Sequence, residues 1–138
     1  MKISQEIIFQ VKSDLTYLQE VLSKFESLKQ TWINQKDWLQ CQLALAEGFT
    51  NAVRHAHKDK SSDTPIDIEI SVTEKEIKIK IWDYGKPFKL KAKPKKISSP
   101  EHLAIGGRGI EILEKIADEL DYNHFPDHRN CLLIRKNL

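Results

Sequence analysis

Three short stretches of the chain carry side chains whose types and spacing could do chemistry. The first is Glu47-Gly48-Phe49-Thr50-Asn51-Ala52-Val53-Arg54-His55-Ala56-His57. On a helix advancing ~100° per residue, Glu47, Asn51 and Arg54 fall at about 200°, 240° and 180° from Leu45. They share one polar face at spacings of four and three. Phe49, Ala52, Val53 and Ala56 gather around Leu45 as the stripe that buries. A polar face of this kind is ordinarily the wet side of an amphipathic helix, but two residues argue for more. Gly48 costs roughly 1 kcal/mol relative to Ala in a helix interior, which implies close approach of another group. Asn51 is a poor choice for a solvated helix position, yet a good neutral ligand for a hydrated cation. His55 and His57, two apart, point different ways, so a two-His metal site is rejected. His55 shares the Asn51 edge and can reach a ligand, whereas His57 is expected at the surface.

The second stretch is Asp83-Tyr84-Gly85-Lys86-Pro87. An Asp leaving a strand with Gly two residues on is commonly just a turn. The alternative is a carboxylate set to accept from a ligand amine, with Gly85 letting that ligand approach the backbone. The third stretch, Gly106-Gly107-Arg108-Gly109, precedes a helix. It reads either as a linker or as unpaired N–H groups at a positive dipole end, suited to phosphate. No GxxxxGK[ST] loop occurs, and Gly106 follows a polar loop rather than a strand, which argues against a dinucleotide fingerprint.

The elements that position these residues follow from hydrophobic period. Residues 3–12 read as a strand, and Ser13 or Asp14 can cap a helix through Leu15, Leu18, Val21, Leu22, Phe25 and Leu28. Asp37 is a plausible cap for a second helix from Trp38 to about Lys58. Residues 66–74 and 76–84 alternate cleanly as a tight hairpin. Residues 85–107 are long, Lys- and Pro-rich and without period, and a loop of that length in a compact domain is usually functional or disordered. A helix over 109–120 and short strands near 121–125 and 131–136 end the chain. The order β-α-α-β-β-loop-α-β-β implies an α+β two-layer sandwich. Its mostly antiparallel, mixed sheet is covered on one face by about three helices.

Composition bounds the function. The 138 residues suit one domain, and 22 basic against 20 acidic residues give +2, too even to argue for nucleic acid or anionic membrane. No signal-peptide block opens the chain, and no apolar run approaches the ~20 residues that span a bilayer. Cys41 and Cys131 form no CxxC pair, so neither a disulfide framework nor a structural zinc site is expected. A cytoplasmic location is the default.

Taken in order, the three stretches resemble the GHKL ATPase superfamily with its Bergerat nucleotide-binding fold. Glu47 through Ala52 match its N box, E-x-x-x-N-A. Asp83 to Pro87 match the first glycine box, and Gly107-Arg108-Gly109-Ile110 match the second, G-x-G-[LI]. Residues from about 86 to 106 take the place of the ATP lid in a single domain spanning 1–138. Within the superfamily, the run NAVRHAH and the run GGRGIEILEKIADEL look like those of bacterial anti-sigma-factor serine/threonine kinases. The resemblance implies ATP and Mg²⁺ as cofactors. Asn51 would hold the Mg²⁺, Asp83 would accept from the adenine amino group, and Gly85 would shape the adenine pocket. Gly107 and Gly109 would cradle phosphates, Arg108 would contact one, and Arg54 and His55 would lie near phosphate and ribose.

Glu47 separates the branches of the superfamily. A carboxylate one helical turn before the metal ligand can take a proton from an attacking hydroxyl, a base that an imidazole nucleophile does not need. Neither a preceding dimerisation helix bearing a phosphoacceptor His nor a transducer domain is expected. The expectation is a protein serine/threonine kinase that phosphorylates an anti-sigma-factor antagonist and sequesters a sigma factor. No direct contact with nucleic acid or membrane is expected, and a homodimer is implied by the resemblance only. The alternative is a non-catalytic ATP-binding module that sequesters a partner. It is motivated by Arg129-Asn130, where related kinases tend to have Gly-Thr, and by the lid lysines Lys86, Lys89, Lys91, Lys93, Lys95 and Lys96.

Overall fold

The computed structural model describes residues 4–86 and 108–138. Five strands form one sheet in the order β1-β2-β3-β5-β4: β1 Ser4–Lys12, β2 Pro65–Thr73, β3 Glu76–Asp83, β4 Glu119–His124 and β5 Asn130–Asn137. Every pairing among them is antiparallel, so the described sheet is not mixed, because each neighbouring pair is joined in opposite sense. Among the described residues, three α-helices, α1 Leu18–Glu26, α2 Gln35–Asn51 and α3 Arg108–Ile116, join the sheet in the expected α+β architecture.

The hairpin β2–β3 shows how alternation builds the layer. Ile66, Ile68, Ile70 and Val72 are all buried, as are Ile77, Ile79 and Ile81. Register sets Ile68 against Ile81 and Ile70 against Ile79, and β5 extends the row with Leu132 opposite Ile81 and Ile134 opposite Ile79. Each such side chain contributes about 1.5–3 kcal/mol on burial. Leu45, Phe49, Ile110 and Leu113 belong to the same core from the helical side.

Helix starts follow side-chain capping. Asp14 accepts from the Thr16 N–H at 2.9 Å and opens a 3-10 turn, Leu15–Tyr17, that leads into α1. At α2 the cap is Asn34 rather than the expected Asp37. The Asn34 carboxamide accepts from the N–H groups of Lys36 at 2.7 Å and Asp37 at 3.3 Å, so the helix begins three residues early. Phe25 and Trp38 stack at 4.1 Å between ring centres and lock α1 to α2.

The glycine in the middle of α2 is explained by packing. A Cβ on Gly48 would stand 2.5 Å from Ile81 Cδ1. The close approach expected there is the helix lying down on the sheet, which brings the N-box residues over the exit of β3.

Candidate functional site

After Asn51 the helix does not continue as an α-helix to Lys58. Residues Ala52–Ala56 form a π-turn, closed by the His57 N–H donating to the Ala52 carbonyl at 2.9 Å. Wider turns of this type are rare and cluster at functional sites. The turn changes which side chains share a face. Gly48, Asn51, Ala52, His55 and Ala56 line one wall of a pocket of about 410 Å³, part of it open to solvent; Ile81 and Asp83 of β3, with Leu132 and Tyr122, line another, and Ile110 of α3 borders it. Glu47 is half-buried beside this wall, and Arg54 is exposed; neither lines the pocket.

Asp83 is the polar centre of the pocket and is buried. Its Oδ1 accepts from the Gly85 N–H at 2.9 Å and from Asn130 Nδ2 at 2.8 Å, and its Oδ2 accepts from the Tyr122 hydroxyl at 2.8 Å. Three donors aimed at one carboxylate stabilise it as an acceptor, the role required for binding an amine. Burial, with Asp83 nearby, pushes the Tyr122 phenol well above its usual range, so this hydroxyl stays a donor. The rest of the lining is largely apolar, as suits a planar heterocycle.

The Asp83–Gly85 turn is held from three sides. Asn130 Nδ2 also donates to the Gly85 carbonyl at 2.9 Å, and Asn130 Oδ1 accepts from His124 Nδ1 at 2.9 Å. Gly85 itself sits against the π-turn: a Cβ there would lie 2.1 Å from the Ala56 carbonyl oxygen. That glycine therefore serves approach of the chain's own backbone. Gly85→Ala is expected to force the turn off the π-turn, destabilise the protein by about 2–4 kcal/mol and weaken ligand binding at Asp83. Chemical denaturation and ligand titration of the variant check both effects.

His57 corrects the sequence reading, which puts it at the surface. It is 2% exposed, Nε2 accepts from the Tyr84 N–H at 2.8 Å, and Nδ1 lies 3.0 Å from Ser13 Oγ. The π-turn brings it inward.

Asn51 has an orphan. Its Nδ2 is buried and has no hydrogen-bond partner, which is costly unless a ligand supplies one. A half-turn of the carboxamide exchanges nitrogen for oxygen. The group can therefore donate to a phosphate oxygen or present Oδ1 to a hydrated cation. Among the described residues, no three His, Cys, Asp or Glu side chains converge to hold a metal ion. The Asn51 carboxamide oxygen is of the donor type that suits a hard cation such as Mg²⁺.

Asn130 and Tyr122 bond Asp83 from neighbouring strands, a placement that sequence reasoning missed because it depends on cross-strand position. Arg129, by contrast, turns to the outer face of the sheet. Its guanidinium stacks 4.1 Å over the Trp82 ring and pairs with Asp67 and Asp127. The expected lid, its lysines beyond Lys86, and Gly107 lie outside the described residues, while Arg108 and Gly109 open α3.

A helix-borne Asn faces a buried Asp across one pocket on an antiparallel sheet, and the chain belongs to the histidine kinase-like ATPase domain family, whose model matches residues 11–136. Among its relatives, the serine-protein kinase RsbW of Bacillus licheniformis is 33% identical over 85 residues, covering 57% of this chain and 53% of that protein. RsbW of Staphylococcus aureus strain RF122 / ET3-1 is 34% identical over 85 residues, covering 57% and 54%. The chain thus spans about half the length of the curated relatives it matches. The solved SiaB–SiaC complex from Pseudomonas aeruginosa shares the fold, with a TM-score of 0.67 at 12% identity over 96% of this chain and 89% of that one. No helix among the described residues is long and apolar enough to cross a membrane.

Proposed function

We propose that the chain is a Mg²⁺/ATP-dependent protein serine/threonine kinase of the anti-sigma-factor type. In this reading residues 1–138 act as one domain in the cytoplasm. It phosphorylates a small antagonist protein and, in its other partner state, holds a sigma factor. The observation that carries this reading is the pairing of a buried, triply bonded Asp83 with an unpartnered Asn51 across one pocket. The similarity to serine-protein kinases named RsbW supports the activity, and a fold neighbour solved in complex with SiaC suits a protein partner.

Asp83 would accept from the adenine amino group, and the apolar side chains of Ile81 and Leu132 in the pocket lining would suit its ring. Asn51 holds the Mg²⁺, which neutralises phosphate charge when bound. In this reading His55, at the pocket wall, and Arg54, Gly107, Arg108 and Gly109 would serve the phosphates and ribose, and residues from about 86 to 106 would take the place of the lid. The acceptor hydroxyl oxygen bonds to the γ-phosphorus as the bond to the ADP oxygen breaks, and the hydroxyl proton passes to the Glu47 carboxylate.

Retention of proteins from the native extract with and without ATP, followed by phosphosite mapping, tests the reading. The expected result is an ATP-dependent phosphoserine or phosphothreonine on a retained partner. Partner binding and ATP-raised melting temperature with no phosphoprotein in any mixture would instead mark a non-catalytic binding module. Asn130 is bonded to Asp83, which serves nucleotide binding in either reading.

A further inference from the structure

His57 lies beyond the N box, at the end of the first stretch, yet it joins three separate parts of the chain. Its Nε2 accepts from the N–H of Tyr84, the residue between Asp83 and Gly85, at 2.8 Å. Because that nitrogen accepts, it carries no proton. The neutral ring's one N–H is then on Nδ1, where it donates to Ser13 Oγ at 3.0 Å. Ser13 is itself buried and fixed, its N–H donating to the Thr64 carbonyl at 2.8 Å. The His57 backbone closes the π-turn that bears Ala56, against which Gly85 packs. One imidazole therefore fastens the end of the N-box helix to the turn that aims Asp83.

We propose that His57 is a positioning residue for the nucleotide pocket. As the neutral imidazole it holds the Asp83–Gly85 turn in its receiving geometry, and on taking a proton it releases that turn. The inference rests on the reading that the pocket takes an adenine nucleotide. Protonation would set an Nε2–H against the Tyr84 N–H, replacing a hydrogen bond by two opposed donors. The groups facing the ring act in opposite senses. Burial holds its pKa below the ordinary 6.5, the Asp83 carboxylate opposes that shift, and Lys60 adds to it. The sign follows: the unfolded chain takes a proton at higher pH than the folded one. The His57 contribution is thus fully present above about 6.5 and is lost as pH falls through the lowered folded value.

The test is calorimetric titration of the wild type and His57→Gln with ADP and Mg²⁺ from pH 7.5 to 5.5. The Gln carbonyl can accept from Tyr84 but does not titrate. The nucleotide and the other histidines titrate in both proteins and cancel in the ratio. The expected result is that the wild-type affinity, relative to the variant's, falls on acidification by a few-fold, less than about tenfold because the folded His57 takes its proton below 6.5. By reciprocity, saturating ADP must lower the His57 titration midpoint seen by NMR in the wild type, which serves should the variant fold poorly. Absence of ADP binding by the wild type at pH 7.5 defeats the nucleotide reading itself. Binding with a pH-independent ratio, or with an unmoved His57 midpoint, defeats only the role of His57.

Discussion

Glu47→Gln is expected to lower phosphate transfer from ATP to a serine or threonine protein by about 10²–10⁴-fold, the usual contribution of a general base. Nucleotide affinity should stay near that of the wild type. Glu47 is half-buried on α2, one turn before Asn51, and it stands outside the residues that line the base pocket. Gln has almost the same helix propensity and shape as Glu, so the substitution removes the proton acceptor and little else. Labelled-phosphate incorporation, measured beside ATP binding on the same preparation, separates the two effects. Undiminished transfer would remove the base from the mechanism.

The second large effect is expected at Asn130. This side chain is 0% exposed, and it bonds Asp83, Gly85 and His124 at once. Asn130→Ala leaves two buried partners, the Asp83 carboxylate and the Gly85 carbonyl, short of a hydrogen bond, frees the exposed His124 as well, and should destabilise the protein by about 3 kcal/mol. Asp83 then loses a fixed orientation, and nucleotide affinity should fall more than about tenfold. Arg129→Ala is the neighbouring control. Its cation–π contact with Trp82 and its ion pairs are on the far face of the sheet, so stability should drop modestly and nucleotide affinity should not change. Equal effects at the two positions would mean that Asn130 acts only through general stability.

The contrast between these neighbours shows what a sequence can and cannot display. Alternation over residues 66–74 and 76–84 predicts the hairpin and its buried face because period two has one reading when one face packs. The three motifs keep their order and spacing, and Gly48 announces a close approach that proves to be Ile81. Asn130 is different: as the departure from a Gly-Thr pattern, it reads as a lost contact. Register alone puts it opposite Asp83, a relation across 47 residues that no local period encodes. The π-turn is equally silent, since Ala52-Val53-Arg54-His55-Ala56 is acceptable α-helix sequence. His57 therefore reads as surface on an ideal wheel, although it is buried. Asn34 against Asp37 is a smaller case, two good caps three residues apart, decided by which side chain meets the free N–H groups.

The central claim is that the pocket around Asp83 and Asn51 binds ATP. Calorimetric titration of the wild type and Asp83→Asn with ATP and Mg²⁺ tests it most directly. Saturable binding of one nucleotide per wild-type chain is predicted, with a loss of about a hundredfold or more in the variant, or roughly 2.7 kcal/mol. No binding by the wild type, or equal affinity in the two proteins, would contradict it.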